Sequence, residues 1–330
     1  MKNLQGASPM LRVLRFWLIV AATLGNGNAS AQNYPTGPVK IILSNSAGGS
    51  PDIVARIVAD RLSKVLGQQV FVENKPGGES VLGAVAAAHA PADGYTLYFA
   101  FNDALVSNRF RLKSLPYDPD NDFTPIANIV DSAPFAVAVQ RDVPAKTFGE
   151  LMEFARSNPG KLSYGATTGL SDTLGQWINK SANVDILRVP YRVNGQAVQD
   201  ALSGRVQILL ISLPSIEQFV RSGQLRMLAV SGAKRFYKLP DIPTIAETYP
   251  GLVIEGWFEL MGPAGIPADI VQRLNSEVDK IVKDREFVER LAQFGFSTSD
   301  AMTPHLLRMR VRTETERWRK IAQDIELKPQ

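Results

Sequence analysis

Short β-rich runs and amphipathic helices alternate along this chain, break off, and resume, and that interrupted rhythm restricts the fold more than any other feature. Val39–Leu43, Val70–Val72 and Tyr95–Phe99 read as strands. Between them, the segment after Pro51 sets Ile53, Val54, Ile57, Val58, Leu62, Val65 and Leu66 at helical spacing and stops at Gly67. Proline suits a first helical turn, where its missing N–H is not needed. Val81–Ala90 reads as a helix of small residues. The rhythm resumes with helices over Phe148–Ser157, Thr173–Ser181, Gly195–Leu202 and Ser215–Ser222. Strands over Leu162–Tyr164, Ile186–Val189, Val206–Ile211 and Leu225–Val230 are interleaved with them. Two longer β-rich stretches, Ile126–Gln140 and Leu252–Met261, flank this second block, and Ala268–Gln330 is helical with mixed charge. Alternation of this kind predicts an α/β fold of mainly parallel sheets flanked by helices. Two lobes are expected, 32–131 with 255–330 and 132–254, joined by the two β-rich crossing segments. Open α/β sheets bind ligands beyond the carboxyl ends of their strands, so function is expected in the cleft between the lobes.

Residues 1–31 read as a secretory leader. Lys2, Arg12 and Arg15 precede the apolar run Phe16–Leu24, and Ala29-Ser30-Ala31 offers a cleavage site before Gln32. A start at Met10 keeps both arginines and the apolar run; the other reading is a buried N-terminal helix. The whole chain has 36 Lys and Arg against 32 Asp and Glu; removal of the leader leaves 33 against 32, a net of +1. That balance excludes the electrostatic case for nucleic acid. Cysteine is absent, which removes thiol nucleophiles, Cys-based metal sites and a lipid-anchored N-terminal Cys. A diffusing periplasmic protein of a Gram-negative cell is expected, with secretion beyond the cell as the other option.

Enzyme signatures are weak. The two histidines, His89 and His305, have no neighbours patterned for a triad or a metal site. Gly48-Gly49-Ser50-Pro51-Asp52 is neither a dinucleotide fingerprint nor a Walker loop. Asp118, Asp120 and Asp122 lie in a turn-like stretch, and no cofactor or metal is expected. Binding signatures are better. Gly48-Gly49 lets a backbone approach a ligand, and the helix that follows offers free N–H groups and a positive dipole end, which suit a carboxylate. A second small, hydroxyl-rich loop, Gly165-Ala166-Thr167-Thr168-Gly169-Leu170-Ser171-Asp172, lies between a strand and a helix in the other lobe. Two such loops facing one cleft suit both ends of a small polar molecule.

Gly48-Gly49-Ser50-Pro51-Asp52-Ile53-Val54-Ala55-Arg56 resembles the GGxxDxxAR signature of Bug-type solute receptors of tripartite tricarboxylate transporters. Val72–Gly77, Pro91–Leu97, Leu115–Pro119, Val189–Arg192, Leu239–Thr244 and Gly262–Pro267 follow in family order. The resemblance implies a non-catalytic, monomeric periplasmic receptor whose lobes close over a small carboxylate or amino acid and hand it to a two-subunit inner-membrane permease. A sensor that presents its loaded form to a kinase is the alternative, and a hydrolase using Ser171 a weaker one. Carried over residue by residue, the first-lobe loop is Ser46, Ala47, Gly48, Gly49, Ser50 and Asp52, with Asn102 after the following strand. The second-lobe loop is Thr167, Thr168, Gly169, Ser171 and Asp172, and Tyr191, Asn194 and Gly195 form a further wall. Departures from the family pattern include Asp172 where His is common, and Val193-Asn194-Gly195 after Arg192 where Gly-Gly is common. An ionised Asp172 facing the cleft disfavours a second carboxylate and favours an amine or hydroxyl.

Overall fold

A computed structural model describes residues 34–298 and 302–329. The expected leader lies outside the described residues. The first lobe opens with β1 (Val39–Leu43), α1 (Ser50–Leu66), β2 (Val70–Asn74), α2 (Val81–Ala88) and β3 (Thr96–Phe101). Helix α1 starts from Gly49 in extended conformation, carries Pro51 in its first turn, and stops where Gly67 turns left-handed at φ 70°. After β3 the chain forms a π-helical turn, Asp103–Ser107, and a short helix α3, Asn108–Arg111. Neither was expected, because a five-residue π turn breaks the 3.6-residue rhythm by which a helix is read.

Strand β4 (Phe123–Gln140) then leaves the first lobe, and the second follows. It comprises α4 (Phe148–Ser157), β5 (Ser163–Ala166), α5 (Gly169–Ala182), β6 (Leu187–Pro190), α6 (Asn194–Leu202), β7 (Ile208–Ser212), α7 (Glu217–Arg221) and β8 (Leu225–Val230). The chain returns along β9 (Glu255–Pro263) and ends in α8 (Ala268–Lys283), α9 (Arg285–Gln293) and α10 (Pro304–Asp324). Helix α5 starts at Gly169, so Gly169–Asp172 is its first turn and not loop as expected. The start is set by a capping box in which Ser171 takes the place usually held by Glu or Gln.

Strands run in the order β2-β1-β3-β9-β4-β7-β5-β6, with β8 also on β4. β2, β1 and β3 are parallel, as are β6, β5 and β7, while β4 and β9 run against their neighbours. Along β4 the partner changes: β9 holds it as far as Pro134, and β7 takes over at Phe135. Each lobe is thus a parallel three-stranded core completed by antiparallel strands. One apolar cluster continues from Ile42 and Tyr98 of the first lobe to Leu170, Leu174 and Leu210 of the second, with Trp257 and Trp318 beside them.

Candidate functional site

The carboxyl ends of β1, β3 and β5 and the start of α5 converge on a polar cavity of about 440 Å³ between the lobes. Ser44, Asn45 and Ser46 come from the first lobe, and Thr167, Thr168 and Gly169 face them from the second. A smaller, more apolar cavity of about 150 Å³ shares Asn45, Asp103 and Thr168 and reaches Asn102, Phe135 and Phe258.

The second-lobe wall is fixed from within. The Thr168 hydroxyl accepts the Ser171 N–H at 3.2 Å, and the Ser171 hydroxyl oxygen accepts the Thr168 N–H at 3.1 Å. The capping box does not engage the Gly169 and Leu170 N–H groups, which lie at the positive end of the helix. Thr167 donates its hydroxyl hydrogen to Asn194 Oδ1 at 2.7 Å, and Asn194 Nδ2 donates to Ser212 Oγ and Ser215 Oγ. Asn194 is therefore a support behind Thr167. Gly195 is exposed at the start of α6, outside the cavity.

In the first lobe, Ser46 lines the cavity, while Ala47, Gly48 and Gly49 are exposed beside it. Asp52 is buried and does not face the cavity. It accepts the Gly48 N–H at 2.9 Å, Arg56 Nε at 3.0 Å and Asn74 Nδ2 at 2.8 Å. Burial pushes its carboxyl up, but the bonds from Arg56, Gly48 and Asn74 outweigh that and hold it below the usual carboxylate range. Ser50 opens α1, Asp52 holds the loop through the Gly48 N–H, and Gly48, at φ +87°, lets it turn.

Four charged residues that the sequence reading missed line the cavity: Glu79, Asp103, Arg111 and Arg188. Asp172 lies there too, but paired: Arg188 Nε is 2.5 Å from its Oδ1, and Gln176 Nε2 donates to its Oδ2 at 3.2 Å. That pairing offsets the charge of Asp172, because β6 carries Arg188 alongside the start of α5. Arg111, only 8% exposed, pairs with Glu79 and reaches across the cleft. A Cβ built on Gly169 falls 1.7 Å from its Nη1, so only glycine admits the guanidinium here. Arg188 is adjacent to the Val-Pro-Tyr-Arg motif, a signal in plain view; Arg111 sits on the unread α3.

The model of the tripartite tricarboxylate transporter family receptors matches residues 54–327. The chain belongs to that family. BugT of Bordetella pertussis is 31% identical over 314 residues, covering 94% of this chain and 96% of BugT. Among solved structures, Rpa4515 of R. palustris with adipate superposes at a TM-score of 0.80 with 31% identity, covering 90% of this chain and all of that one. MatC of Rhodopseudomonas palustris with bound malate gives 0.74 at 27% identity, over 87% and 99% of the two chains. This tripartite tricarboxylate receptor is accordingly a solute-binding protein and not an enzyme. The Ser171 hydroxyl donates to the Thr168 carbonyl within the helix cap, and His89 Nδ1 lies 3.0 Å from the Val85 carbonyl of its own helix. Among the described residues no helix is long and apolar enough to cross a membrane.

Proposed function

We propose that this receptor works in the periplasm after cleavage behind Ala31, closes its lobes over a small carboxylate-bearing solute, and delivers it to a two-subunit inner-membrane permease. The observation that carries the reading is the interlobe cavity, where the start of α5 and the guanidiniums of Arg111 and Arg192 meet. Arg192 is exposed at the rim and has no hydrogen bond or ion pair among the described residues. A carboxylate gains charge-assisted bonds from guanidinium and N-terminal N–H groups alike. The adipate and malate of the two solved relatives are carboxylates of suitable size. Thr167, Thr168, Gly169 and Ser46 supply short polar groups around the anion, and Tyr191 supplies an apolar wall. Closing a cleft over a ligand favours the closed state by the ligand's differential affinity for it, and the permease reads that state.

A thermal-shift screen of the mature receptor, unfolded and refolded once to strip carried ligand, tests the reading. Ligand at ~1,000 times its dissociation constant stabilises the native state by about 4 kcal/mol, a shift of several degrees. One responding class among mono-, di- and tricarboxylates and amino acids is expected. A flat response across all of them refutes the carboxylate reading.

A further inference from the structure

The cavity contains its own ionic balance, and one carboxylate is left over inside it. Its lining carries the guanidiniums of Arg111, Arg188 and Arg192 and the carboxylates of Glu79, Asp103 and Asp172. Arg111 is matched with Glu79 and Arg188 with Asp172. Asp103 has no ion-pair partner within hydrogen-bonding reach: its Oδ2 accepts the Ser80 hydroxyl at 3.1 Å, and its Oδ1 the Ala104 N–H at 2.6 Å. It faces both the polar cavity and the smaller one behind it. The loop that delivers Ser80 is strained. Gly77, Gly78, Glu79 and Ser80 run consecutively at positive φ, and for Glu79 (53°) and Ser80 (75°) that conformation is costly. Strain held at a cleft wall marks a position that packing alone does not require.

We infer that the solute carries a protonated amine beside its carboxylate, and that Asp103 receives the amine. The inference rests on the carboxylate reading above and narrows it to amino acids. A dicarboxylate brings two negative charges into a lining whose charges already cancel, whereas an ammonium offsets one of them and meets the unmatched acid. The start of α5, with Arg111 and Arg192 beside it, remains for the carboxylate. Asp172, already matched by Arg188, is not the selecting acid.

The charged and titratable groups around Asp103 set the pH behaviour. They are Arg111 of α3, Glu79 on the facing loop, Tyr98 of β3 and Tyr117. Burial pushes the Asp103 carboxyl up to about 6; the Ala104 and Ser80 bonds and Arg111 oppose this, and Glu79 adds to it. An ammonium needs the ionised carboxylate, so affinity falls as pH drops through that range. A ligand carboxylate lodged against Asp103 needs the protonated form, so its affinity rises instead.

Calorimetry on the stripped mature receptor with matched probes decides the question: glutamate against glutarate, aspartate against succinate, 2-aminoadipate against adipate. In one pair or more the amine-bearing member should bind at least about tenfold tighter, the worth of one charge-assisted bond. Asp103→Asn should erase that preference while keeping an acceptor for Ala104 and a polar partner for Ser80. The wild-type protein supplies the second measurement without any variant: amino-acid affinity should weaken between pH 7.5 and 5. Desamino partners that bind as well or better, or an affinity flat or rising over that pH range, overturn the inference and leave a carboxylate receptor standing. If none of the six binds, the broader screen decides: a response to a neutral amino acid supports the inference, a response confined to carboxylates without an amine overturns it alone, and a flat screen removes the carboxylate reading and this inference together.

Discussion

At the scale of single residues, the cleft is governed by which charges are matched. Sequence reasoning singled out Asp172 because an acid stands where the family often has histidine, yet ionic pairing is a property of neighbours brought together by folding. Arg188 lies sixteen positions later and on another element, so no local pattern reveals that it meets Asp172 at 2.5 Å. Gly169 makes the complementary point. Its missing side chain leaves room for the Arg111 guanidinium, which a Cβ at that position approaches to 1.7 Å. Gly169→Ala should therefore displace Arg111 and weaken solute binding by about tenfold or more, since a charged bond to the ligand is worth roughly 1.5–3 kcal/mol. Alanine is a good helix former, so the melting temperature without ligand should change little. Isothermal titration beside a melting curve separates the two effects, and unchanged affinity would remove Arg111 from the site.

At the scale of elements, two loop-to-helix junctions position the cleft, and they were legible to different degrees. The first was readable because Gly-Gly, Pro51 and a long amphipathic run announce the start of α1. The second begins four residues before the spacing predicts, since Thr168 and Ser171 form a capping box without the usual acidic partner. The strand and helix succession was clear throughout, whereas the π turn at Asp103–Ser107 was not, and with it went Asp103 and Arg111. Asp52 belongs to the first of these junctions. Its carboxylate gathers Gly48, Arg56 and Asn74 and so ties the loop to α1 and β2. Asp52→Ala should cost about 1–2 kcal/mol of stability, because it removes the one buried carboxylate that three donors share. Its depressed carboxyl gives stability that is present above the unfolded value of 3.8 and is lost as pH falls through the folded one. Denaturant melts of both proteins at neutral and strongly acidic pH should therefore differ most at neutral pH; a constant difference would contradict the assignment.

At the scale of the whole molecule, the lobes depend on two strands, and those strands bury acid. β4 changes partner midway, and its register against β9 slips near Asn128, Val130 and Ala133. Such bulges twist a strand and let it serve two sheets. Opposite Asn128 lies Glu259, fully buried, with no hydrogen-bond partner for either carboxylate oxygen among the described residues. Arg310 of α10 is 3.8 Å from it but is committed elsewhere. Its guanidinium donates to Asn128 Oδ1 at 3.0 Å and Asp131 Oδ1 at 3.1 Å, and lies over the Trp257 ring at 4.6 Å. In this way the last helix is pinned to both crossing strands. Burial pushes the Glu259 carboxyl up to about 8; Arg310 opposes this and Asp131 adds to it. The folded value lies above the unfolded 4.5, so the stabilisation from the neutral acid is complete below 4.5 and is lost as pH rises through about 8. Glu259→Gln keeps the shape of the neutral acid and cannot ionise. The wild-type protein should therefore lose stability relative to this variant as pH is raised from 5 to 9, with the gap widest at the alkaline end. Melting curves collected in parallel over that range test it, and two lines that stay parallel would show that the buried carboxylate ionises in the folded protein as it does in the unfolded chain.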